Sequence, residues 1–205
     1  MARYIGPRIK RCRSFGVVLP GLTTKTTLRR PFAPGQHGAK RRRRDSDYRT
    51  RLVEKQKLRY HYGILEKQFV RYVSNASKLR GPTGENLVRL LESRLDSVVW
   101  RLGLAATIPA ARQLVVHGHI KVNGKRVDRP SFQVTVGVEI SVAEKSRAKP
   151  FVAAALEMSA SRARPAFLEF DPAKATGKML VAPGRADTPF DVNTQAVVEF
   201  YSQKL

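Results

Sequence analysis

Arg94, Arg101, Arg112, Lys121, Lys125, Arg126 and Arg129 crowd one stretch of the chain, interleaved with apolar residues and followed by no comparable run of acids. Guanidinium and ammonium groups in that density bind phosphate, and a rigid basic face reads the phosphates and 2′-hydroxyls of a folded RNA by shape. A second basic feature is the unbroken run Lys40, Arg41, Arg42, Arg43 and Arg44. Five adjacent like charges repel one another, so this run is expected to order only against phosphates.

Catalytic chemistry finds little support. His37, His61, His117 and His119 lie far apart or flank Gly118, and neither an HExxH pattern nor a cysteine pair accompanies them. Without a completed ligand set, structural or RNA-contacting roles are expected for these histidines, and no metal or other cofactor is expected. Walker-type and GxSxG loops are likewise missing from the sequence. Tyr48, Tyr60, Tyr62 and Tyr72 alternate with arginines as base-stacking residues can, but aromatics at helical spacing more often pack a core. Cys12 is the single cysteine, which rules out an intrachain disulfide and a cysteine-cluster zinc site, and is expected to be a passive thiol in a reducing compartment.

These side chains need elements to hold them. From Gly16 to Ala39 the sequence is turn chemistry, as in LPGLTTK and PFAPGQHG. Helices are expected over YRTRLVEKQKLRYHYG and ILEKQFVRYVSNASKLRG, each ending near a glycine. A third starts after Thr83, with Leu87, Leu91, Leu95, Val98 and Leu102 on one face and a break near Asp96. Thr107 can cap a short helix with Pro109 in its first turn and Gly118 after its end. The pattern then turns to strands: HIKV, the turn pair Asn123-Gly124, KRVD, FQVTV and EISVAE, with Asn-Gly the strongest hairpin signal. After Lys149, FVAAALEMSASRAR reads as a helix and FLEFD and KMLVAP as strands, while VVEFYSQ fits either period. Helices followed by short antiparallel strands give an α+β fold class.

Composition agrees with a polyanion partner. The 205 residues carry 39 Lys and Arg against 16 Asp and Glu, a net charge of +23, and residues 1–60 alone hold 18 basic and 3 acidic side chains. Self-repulsion of that size disfavours a compact free state and favours binding to phosphates, which releases counterions. With 42% hydrophobic residues the chain can bury a core, yet no apolar run reaches the roughly 18 to 20 residues of a membrane helix, so no membrane partner is expected.

The run RLD, ARQLV, HGHI-VNG-VD-PS resembles the RNA-binding module named after ribosomal protein S-four. PGQHG at Pro34 to Gly38, SDY, EKQKLR, YG, TGEN and the terminal VEFYS resemble the bacterial and organellar S-four family along nearly the whole chain. The resemblance implies a mainly helical domain, made from both chain ends, with an inserted helix-helix-β-hairpin module and a small antiparallel sheet. Its expected divisions are 1–93, a basic extension and helical domain; 94–157, the module; and 158–205, partly returning to the helical domain. It further implies a non-catalytic, cytoplasmic or organellar protein that binds the 5′ domain of small-subunit ribosomal RNA early in assembly. Messenger RNA near its path into the ribosome, met by Lys40 to Arg44, ribosomal protein S-five and other small-subunit proteins are the further implied partners. An RNA-modifying enzyme such as a pseudouridine synthase could share the module, but the residues after Lys149 are too few for its catalytic domain. A DNA-packaging protein would not need the module.

Overall fold

The computed structural model describes residues 4–25, 30–39, 46–147, 149–160, 163–172 and 174–202. The chain divides into two compact units, one of residues 1–88 with 188–205 and one of residues 89–187.

In the first unit, Ser46 caps α2 (Asp47–His61) by accepting a hydrogen bond from the Arg49 amide, and α3 (Glu66–Lys78) follows after Gly63. Before them stands α1 (Arg8–Phe15), stopped by Gly16 at φ +69°. α1 carries a narrow apolar stripe of Ile9, Cys12 and Phe15, of which Cys12 is buried and Phe15 packs on Tyr60; burial pushes the Cys12 thiol up, away from the reactive thiolate. The last helix, Thr194–Ser202, packs chiefly on α2. Phe69, Val197, Phe200 and Tyr201 are buried between these helices, so VVEFYSQ is helical because its apolar side completes this core. Glu66 ties the helices together: Lys55 and Tyr201 donate to one carboxylate oxygen and Arg59 to the other. Tyr60 and Tyr62 are buried, whereas Tyr48 is 57% exposed and leans on Phe200.

The division between the units falls within α4 (Thr83–Glu92). The second unit continues with α5 (Leu95–Arg101), α6 (Ile108–Val116), β1 (Ile120–Val122), β2 (Lys125–Arg126), β3 (Glu139–Val142), α7 (Glu144–Arg147), α8 (Pro150–Ala160), β4 (Leu168–Asp171) and β5 (Thr176–Met179). The helix Thr194–Ser202 of the first unit is α9. The strands form one antiparallel sheet in the order β2-β1-β3-β5-β4. Ile120, Val122 and Ile140 bury one face of it, and Gly177 leaves room there for Leu102, whose methyls a Cβ at 177 would overlap.

Two boundaries differ from the sequence reading. Residues 158–187 fold with the preceding module, because β4 and β5 extend its sheet beyond β3. FQVTV is no strand of that sheet, since its backbone is spent elsewhere. Phe132 and Pro130 carbonyls accept from the amides of Leu95 and Asp96, and the Val134 amide donates to Ser93, leaving a lone bridge between Arg94 and Gln133.

Candidate nucleic-acid interface

The hairpin β1-β2 turns on Asn123 at φ +47° and Gly124 at φ +76°, the doubly left-handed turn that matches strand twist. The Asn123 side-chain oxygen also accepts from the Glu139 amide at 2.9 Å, fastening the tip to β3. In the register of this hairpin Lys121 stands directly opposite Arg126, so both side chains point to the same face. Lys125 is opposite Val122 and belongs to the other face. Lys125, Arg126 and Arg129 are exposed and Lys121 is half-buried. Among the described residues none of the four is held in a salt bridge. Like charges directly opposite one another destabilise a hairpin, so this pair is a standing demand for an anion.

The other three expected cations are placed differently. Arg94 is 1% exposed; its Nε and one terminal nitrogen donate to the two oxygens of Asp96 at 3.0 and 2.8 Å. Arg112 reaches the same carboxylate from α6 at 3.1 and 2.7 Å, and its side chain is 12% exposed. Arg101 is 8% exposed and forks onto Glu92 at 3.0 and 2.7 Å, with a further bond to the Asp187 carbonyl. The expectation that Arg94 and Arg101 lie on an RNA-facing surface is therefore corrected. A charge buried to this degree needs a paired carboxylate, and these arginines spend their donors on Asp96 and Glu92 inside the unit. The amide donors at the start of α5 are used as well, by Phe132, Pro130 and Asp96, so this helix end does not offer them to phosphate. Thr107 caps α6 by accepting from the Ala110 amide.

Lys40 to Arg44 lie outside the described residues. Two features went unmarked in the sequence. On α3, Lys67, Arg71 and Lys78 are exposed and, being four and seven residues apart in turn, share one stripe of the helix; a helical projection of the sequence would have found them. On the module, the His119 ring nitrogen Nδ1 lies 2.8 Å from the Ser146 hydroxyl. Burial, together with the cations Lys149 and Arg126 and neighbouring His117, holds the His119 imidazole below its ordinary pKa. His61 sits deep in the first unit, where its Nδ1 accepts from the Gly21 amide, and His37 is exposed in a turn. Among the described residues no group of histidine, cysteine and carboxylate side chains could hold a metal ion, and no helix is long and apolar enough to cross a membrane.

Residues 3–92 match the family of the ribosomal protein S4/S9 N-terminal domain and residues 93–140 match the S4 domain. Over 203 residues, 99% of this chain and all of the relative, the sequence is 51% identical to small ribosomal subunit protein uS4 of Listeria monocytogenes. It is 48% identical over 206 residues, the full length of both chains, to uS4B of Nitrosomonas europaea and to uS4 of Lacticaseibacillus casei.

Proposed function

We propose, for a chain that belongs to the uS4 family of small ribosomal subunit proteins, a direct hold on the 5′ domain of small-subunit ribosomal RNA through the Lys121-Arg126 edge of its S4 domain. The family is a structural one, and the protein is a non-catalytic component of the small subunit. The observation that carries the RNA reading is the juxtaposition of Lys121 with Arg126 on a solvent-facing sheet edge, with exposed Lys125 and Arg129 on the same hairpin and the loop after it and, among the described residues, no salt bridge to any of the four. A fold that tolerates this repulsion recovers the loss when phosphates lie between the charges. The exposed stripe Lys67, Arg71 and Lys78 supplies a second phosphate contact from the helical unit.

Arg112 belongs to this interface as well: Asp96 holds it, and its partly exposed guanidinium adds to the positive field around the middle of α6. Binding early in assembly, messenger contact by Lys40 to Arg44, an influence on translational accuracy and a contact with ribosomal protein S-five complete the reading. They rest on family resemblance and on the charge of that run. The test is equilibrium binding of the full-length protein to a transcript of the 5′ domain at several salt concentrations. Affinity falling steeply with salt, and less steeply in Lys121→Ala with Arg126→Ala, is the expected result. Binding indifferent to both salt and these substitutions would refute it.

A further inference from the structure

Between α6 and α8 the second unit leaves an open groove of about 440 Å³, within the range of roughly 300–1,000 Å³ usual for pockets that hold compact ligands. Its walls are apolar, and the alanines on both helices are too short to close it. Met158 stands at one side, 54% exposed, a polarizable side chain that packs well on aromatic rings. The polar groups at the groove are the amide of Gln113 and the imidazoles of His117 and His119, whose ring centroids are 6.1 Å apart.

Charge decides what fits. No acidic side chain lines the groove, and His119 is held below its ordinary pKa first by burial, with Lys149, His117 and Arg126 acting in the same direction. Arg126 lies over Gly118, where a Cβ would overlap its guanidinium, so the cation faced with Lys121 on the hairpin also borders the two histidines. A free apolar peptide side chain would gain nothing from those cations. A nucleotide gains twice, since its phosphate answers Arg126 while its base leaves water for an apolar slot edged by imidazoles, the surroundings in which unstacked RNA bases are bound.

We infer that this groove receives one unstacked nucleobase of the RNA whose phosphates the hairpin holds, and that the base is an adenine read by Gln113. The inference rests on the RNA-binding reading above. The Gln113 amide donates to adenine N1 and accepts from its N6 amino group, a bidentate match that guanine and uracil do not offer in the same pose; cytosine offers it at N3 and N4, but the larger purine buries more apolar surface in the groove. His117 covers one face of the ring and Met158 the other.

The experiment uses the full-length protein and a transcript of the small-subunit 5′ domain, read by dimethyl sulfate at adenine N1 and by hydroxyl radicals along the backbone. Ala154→Phe fills the groove from an exposed position on α8, and Gln113→Ala removes the reading amide from an exposed position on α6. Circular dichroism checks that both variants keep their helices. Wild-type protein is expected to shield an unpaired adenine. Each variant is expected to bind about tenfold more weakly, the scale of one lost base contact, and at saturation to uncover that adenine while keeping the backbone protections. Backbone protection by wild type with no adenine shielded, or unchanged affinity and reactivity in both variants, would overturn the base slot and leave the RNA reading standing. So would intact RNA affinity accompanied by loss of a neighbouring protein from reconstituted subunits. Wild type that protects no backbone at all would overturn the RNA reading, and the base slot with it.

Discussion

Replacing Asp96 with asparagine should unfold the S4-domain unit far more readily than any change on its basic surface. Asp96 is fully buried and accepts five hydrogen bonds: two from Arg94, two from Arg112 and one from the Ser97 amide. Asparagine keeps the volume and one acceptor oxygen but leaves two guanidiniums facing each other without a counter-charge. Removing one partner of a buried ion pair costs about 3–5 kcal/mol. Arg94, 2% exposed in its side chain, cannot escape to water, whereas Arg112 at 12% can shift outward, so a loss near the lower end, about 3–4 kcal/mol, is expected. Against a domain stability of roughly 5–15 kcal/mol that is a large fraction. Arg112→Ala should cost only about 1–2 kcal/mol, because the Arg94-Asp96 pair survives it. Trp100, the single tryptophan and 1% exposed on α5, reports this unit alone in a urea titration. If Asp96→Asn shifts the transition by less than about 0.5 kcal/mol, or less than Arg112→Ala does, the triad is not what holds the unit together.

Four exchangeable cations on the module, Lys121, Lys125, Arg126 and Arg129, should give a slope of about −3.6 in log K against log salt, and each alanine should reduce it by about 1; a slope near zero would be contradictory. Alanine at Arg42, Arg43 and Arg44 should leave the fold unchanged, weaken ribosomal RNA binding moderately and impair translation of a hairpin-bearing messenger, measured in subunits that still assemble. Gly177→Ala should cost about 1–3 kcal/mol in the same tryptophan titration, since the new methyl must displace Leu102. Burial alone would raise the Glu66 pKa, but hydrogen bonds from Lys55, Tyr201 and Arg59 outweigh it and hold the value at about 2. Glu66 therefore stabilises the helical unit above its unfolded pKa of about 4.5, and that contribution is lost as pH falls through about 2. The full shift corresponds to about 3.4 kcal/mol, but with the side chain 41% exposed, screening reduces it to about 1; Glu66→Gln should flatten the acid limb of a helix-content titration by that amount.

Local chemistry was legible. Thr107, Pro109 and Gly118 bounded α6 within a residue, and Asn123-Gly124 marked the hairpin, because caps and left-handed turns are decided by the residues that make them. The break in the third helix was legible as well, falling at Ser93 and Arg94 rather than Asp96. What escaped was non-local. Whether a backbone amide meets a sheet or a helix end is settled by chain folding, so FQVTV read as a strand, yet its Phe132 carbonyl accepts from the first amide of α5 and its Val134 amide donates to Ser93. The joining of β4 and β5 to β3 depends on a connection through α8 that no short window contains. Arg94 and Arg101 were read by residue type, and type alone does not separate a cation aimed at phosphate from one aimed at Asp96 or Glu92. The acids two residues after Arg94 and nine before Arg101 were the available signal, and both become neighbours only through the turn between α4 and α5.

On the proposed function, the buried arginines bear on RNA recognition through rigidity. Asp96 at the start of α5 grips Arg112 in the middle of α6, and the hairpin follows α6 after two residues beyond its cap. Asn123 secures the far end of that hairpin to β3. Lys121 and Arg126 are thus carried on a short element fixed at both ends, and their repulsion cannot be relieved by splaying the strands. A shape-reading interface benefits from such pre-organisation, because binding then orders side chains rather than backbone. Loosening the grip at Asp96 while the unit stays folded, as Arg112→Ala does, should therefore weaken RNA binding without reducing the salt slope by more than the single charge removed. An affinity equal to wild type would show that the hairpin is oriented by the sheet alone.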